Sequence, residues 1–61
     1  MTFTVEKQIG PDRAYLYVPN GDASQAKLQS DPALATSFHF HISALMWAKD
    51  PLIEGEVVPH E

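Results

Sequence analysis

From Thr2 to Ile9 the apolar residues Phe3, Val5 and Ile9 fall on one parity, broken only by Lys7. A period of two is the mark of a strand with one buried face. Gly10-Pro11-Asp12-Arg13 reads as a turn, because proline presets φ and Asp12 can bond its own backbone. Ala14, Leu16 and Val18 then alternate with Tyr15 and Tyr17, which predicts a second strand and an antiparallel hairpin. After Pro19-Asn20-Gly21, Asp22 is placed to cap a short helix over residues 23–29, and Leu52 to Val58 suggests a last strand weakened by Gly55.

The interval from Pro32 to Lys49 supports two patterns. Asp31 as N-cap, Pro32 at the first helical position, Lys49 in the last turn and Asp50-Pro51 as a stop predict one helix. Against this, Phe38, Phe40, Ile42 and Ala44 alternate with Ser37, His39, His41 and Ser43 as a strand would. The run Ala44-Leu45-Met46-Trp47-Ala48 abandons the alternation and uses mostly good helix formers, so the helix over residues 32–49 is preferred. On a helical wheel Leu34, Phe38, Ile42 and Leu45 form a stripe for the hairpin, and Ala33, Phe40, Ala44 and Trp47 a second one roughly opposite. The fold class expected is therefore α+β. An N-terminal antiparallel β-hairpin packs on one main α-helix, with a short helix before it and a short C-terminal strand or extended tail, in a single small domain of residues 1–61.

Length and charge narrow the function. A chain of 61 residues without cysteine has room for one core and no disulfide to reinforce it. Eight acids against four bases give a formal charge of −4, which opposes direct binding to nucleic acid. No apolar run approaches the roughly 18 residues of a membrane span, and Met1 to Val5 lacks the pattern of a signal peptide, so the expected location is cytoplasmic.

The surplus apolar stripe is the leading functional feature. A helix that is apolar on two sides has to be covered twice, and one hairpin covers only one side. Phe40, Ala44 and Trp47, with Tyr15 and Tyr17 on the outer parity of the second strand, are the expected contacts to another protein or a second copy of this chain. The alternative is a metal or ligand site at His39-x-His41, whose imidazoles share a side on a strand and diverge on a helix, with Glu54, Glu56 or His60 as a third ligand.

Catalysis has little support in the chain. There is no cysteine nucleophile, Gly-rich phosphate loop or nucleophile elbow, and Glu54-Gly55-Glu56 reads as solubilising charge. No cofactor is implied. An enzyme subunit whose active site forms only in an oligomer is the remaining class. The sequence reading is thus a small acidic protein-binding module, acting as an accessory or inhibitory protein or as a small subunit of a larger assembly.

Overall fold

A computed structural model describes residues 1–61. Its first hairpin turns on two residues, Gly10 and Pro11, joining β1 (Thr2–Ile9) to β2 (Asp12–Tyr17) with Ile9 opposite Asp12. Gly10 has φ +58, and a positive φ followed by proline's fixed negative φ suits a two-residue hairpin turn of the II′ kind. The turn is thus one residue earlier than the sequence pattern suggested, with Asp12 already in the ladder.

Two further strands complete an antiparallel sheet in the order β3-β2-β1-β4, with β3 at Lys27–Gln29 and β4 at Glu56–His60. The one α-helix, α1, covers His41–Ala48 and packs across β1 and β4. The protein is α+β, with the helix packed mainly on β1 of the expected hairpin and on the C-terminal strand β4 beside it. The helix expected over residues 23–29 is not formed. Asp22 caps only a 3-10 turn, Ala23–Gln25, and the chain then extends into the edge strand β3.

The helix predicted over residues 32–49 is likewise cut short. Asp31 does cap Pro32–Leu34, accepting from Ala33 N at 2.9 Å, but that element is one 3-10 turn. The following residues find strand partners instead. Phe3 and Phe38 exchange backbone hydrogen bonds at 2.8 and 2.7 Å. Thr36 N donates to Leu16 O at 3.0 Å, and Val18 N donates to the Thr36 hydroxyl at 2.8 Å. The β1–β2 ladder runs only from Ile9–Asp12 to Glu6–Tyr15, and residues 36–38 fill the gap where the strands part. Backbone groups satisfied in this way are not free for helical bonding.

One face of the sheet carries the core, formed by Val5, Leu16, Val18, Ala44, Ala48 and Ile53, with Phe3, Phe38, Leu28 and Trp47 partly buried around it. Ala44 and Ala48 lie four apart on one side of α1, and their small side chains let the helix axis approach the sheet. An eight-residue helix is only about 12 Å long. It covers the middle of β1 and leaves Ile9 exposed. No helix is long and apolar enough to cross a membrane.

β4 contains Pro59, which a central strand would not tolerate. Here β4 is an edge strand, and Pro59 lies opposite Phe3, whose own backbone groups turn the other way to Phe38. The missing N–H therefore faces away from the ladder.

Candidate functional site

In α1 the side that meets the sheet is set by Ala44 and Ala48. With about 100° per residue, the inward pair Ala44 and Ala48 puts Ile42 and Met46 on the side away from the sheet. Ile42 is 67% exposed and Met46 71%. Phe40, extended at φ −118 and ψ 133 just before the helix, is 71% exposed. Three large apolar side chains therefore stand in solvent along one short element.

The expected contact residues divide accordingly. Phe40 lies on the outer side, and Trp47 is on its flank, half-buried against the core. Ala44 is fully buried and belongs to the helix–sheet packing, so it leaves the set. Ile42, assigned by the longer wheel to the hairpin side, takes its place. Tyr15 and Tyr17 are half-buried and alternate with the fully buried Leu16, so they occupy the opposite face of the sheet. A surface containing Phe40 and Trp47 does not include them.

Beside Met46 the flank of α1 forms an open cleft of about 400 Å³ lined by Ser43, Met46, Trp47 and Asp50. Ser43, Met46 and Trp47 follow the i, i+3, i+4 spacing of one helix ridge, and Asp50 sits just past the helix end. Asp50 is held in place because its Oδ1 accepts from Leu52 N at 2.9 Å. Ser43, Met46 and Asp50 were not singled out from sequence. Their spacing is legible along the chain, but which side of α1 meets water depends on how the helix sits on the sheet.

The uncovered sheet face is polar at its centre. Glu6 and Thr4 are both buried there, although they fall on the polar parity of β1. Arg13 Nε donates to Glu6 Oε1 at 2.8 Å, and its Nη2 donates to Glu56. The Thr4 hydroxyl donates to Glu6 Oε2 at 2.7 Å and lies 2.9 Å from His60 Nε2. With its one proton given to Glu6, that hydroxyl accepts from His60, so the imidazole is not placed as a base for Thr4. The cluster ties β1, β2 and β4 together.

Burial raises the Glu6 carboxyl, but hydrogen bonds from Thr4 and Arg13 and the charges of Arg13 and His60 outweigh it and hold it below its ordinary 4.5. A depressed carboxylate contributes stability that is full above the unfolded value and is lost as pH falls through the folded one. The melting temperature is therefore expected to fall as pH drops below about 4.5, and Glu6→Gln to flatten that fall. Thermal melts of both proteins between pH 7 and pH 3, buffered at constant ionic strength, check this. Parallel curves would contradict the assignment.

His39 is exposed in the bend before α1, and His41 opens the helix with its ring edge-on to Phe3 at 5.3 Å. No group of three or more His, Cys, Asp or Glu side chains is placed to hold a metal ion. Of the carboxylates suggested as a third ligand, Glu56 pairs with Arg13 and Glu54 is exposed. No family model, curated protein or solved structure matches the chain.

Proposed function

We propose that this protein is a small protein-binding module, an accessory or inhibitory chain or a small subunit of a larger assembly, which docks through the outer face of α1. The observation that carries this reading is the joint exposure of Phe40, Ile42 and Met46 beside the half-buried ring of Trp47. Large apolar and aromatic side chains in one patch supply most of the energy of protein interfaces, and Met adapts its shape to a partner. The same residues contribute little to the fold, since their side chains face water.

The partner is another protein or a second copy of this chain. Met46→Asp combined with Ile42→Asp places two charges on the patch without touching the core, so the circular dichroism spectrum is expected to stay close to wild type. Affinity capture from the native source and sedimentation of the isolated chain then test the reading. A partner or dimer present with wild type and lost with the double variant is the expected result. A partner retained equally by both would overturn it.

A further inference from the structure

The cleft beside Met46 allows the kind of partner to be narrowed, on the premise that α1 is the docking face. Its floor is mixed in a specific way. It is lined by the apolar Met46 and Trp47 and by the polar Ser43 and Asp50. Ser43 lies in the first half of α1 and Asp50 just past its C-terminal end, so a single long side chain can lie between them. The Asp50 carboxylate has no lysine, arginine or histidine partner within the chain; the ion pairs are Arg13 with Glu6 and Glu56, and His60 with Glu6. One of its oxygens is fixed by Leu52 N, which aims the group without neutralising it. The Asp50 end of the cleft also lies at the C-terminal end of α1, where the helix dipole favours a cation.

We infer that this cleft receives an arginine side chain from an apolar segment of the partner, its stem lying along Met46 and Trp47 and its guanidinium meeting Asp50. Charge complementarity favours that occupant. The chain carries −4 overall, and its one arginine is already engaged by two carboxylates. Guanidinium groups also stack on aromatic faces while donating to carboxylates, which a neutral apolar side chain cannot do. An acidic segment would be repelled by Asp50.

Trp47 is the chain's one tryptophan, so its emission reports on the cleft directly. The probe is the capped tripeptide acetyl-Leu-Arg-Leu-amide, titrated into the full chain beside the same peptide with citrulline, which keeps the shape and loses the charge. Saturable change of Trp47 emission is expected at millimolar arginine peptide, with citrulline weaker by about fivefold. Asp50→Asn, an exchange at a position outside the core, should abolish that difference. Equal affinity for the two peptides, an unchanged preference in Asp50→Asn, or no saturation up to about 10 mM would each overturn the inference. Self-association or capture through Ile42 and Met46 would survive any of those results, which separates failure of this inference from failure of the docking reading.

Discussion

Leu16→Ala is expected to leave the chain largely unfolded at 25 °C. Leu16 is one of the two largest fully buried side chains. Its backbone carbonyl accepts from Thr36 N, and its side chain belongs to the cluster with Ala44, Ala48 and Ile53. Truncating a buried leucine costs about 2–5 kcal/mol, through lost burial and the cavity left behind. A core in a chain this short supplies only about 3–5 kcal/mol in total. The loss therefore consumes most of the stability. Urea denaturation followed by circular dichroism checks this, with Leu52→Ala as the control, since Leu52 is exposed and its truncation should change little. A Leu16→Ala protein with a midpoint close to wild type would contradict the assigned core.

The second large effect is expected at Gly55. A Cβ built there would meet the Glu6 carbonyl oxygen at 2.8 Å and Val5 Cγ1 at 3.1 Å. The first of these is backbone in the middle of β1 and has little room to yield. Gly55 N is in turn tied to Ala48 O at 3.0 Å, which fixes the approach from the helix side. Its φ is not in the left-handed region, so the requirement is for space. Gly55→Ala should cost about 1–3 kcal/mol by overpacking and loosen β4 from β1, disturbing the Glu6 and Glu56 positions that Arg13 bridges. Gly10→Ala makes the informative comparison. A Cβ there meets nothing, so its cost is conformational, about 1 kcal/mol. Amide hydrogen exchange quickened in β4 of Gly55→Ala beyond the rest of the sheet, against a uniform rise across the sheet in Gly10→Ala, is the expected pattern. Unaltered exchange in both would contradict the close approach.

These two positions also show what the sequence made legible. Alternation in β1 and β2 announced the strands, and Leu16 was visibly on the parity of Ala14 and Val18. Caps were legible too, since Asp22 and Asp31 each accept from the backbone two residues on. What a cap does not encode is how far the helix continues. After Leu34 the decision belonged to tertiary partners, because Phe3, Leu16 and Val18 offered residues 36–38 strand-like bonds that no local signal records. The alternation of Phe38 and Phe40 was the trace of that pairing, and the helix signal in 44–48 was equally real. The helix pattern held over His41–Ala48, whereas the alternation over residues 37–44 left only the bridge at Phe38, with Phe40 exposed and residues 41–44 helical.

The seating of α1 on the sheet decided the candidate surface. Begun at Pro32, the wheel set Ile42 toward the hairpin and Ala44 outward. In the structure the helix meets the sheet by its other side, with Ala44 inward and Ile42 outward. Phe40 and Trp47 kept their prominence in either case, being large and few. Ser43, Met46 and Asp50 became visible only once the helix phase was known, while the burial of Glu6 depended on Arg13 and His60 reaching it from other strands. Cross-strand neighbours of that kind require the register, which the pattern along one strand does not contain.

The footprint of a captured partner on this chain is the most direct test of docking through α1. Amide hydrogen exchange of the complex against the free protein should show added protection over residues 40–50, with the uncovered sheet face at Tyr15, Tyr17 and His60 unchanged. Protection confined to that sheet face, with residues 40–50 exchanging as in the free chain, would contradict the account.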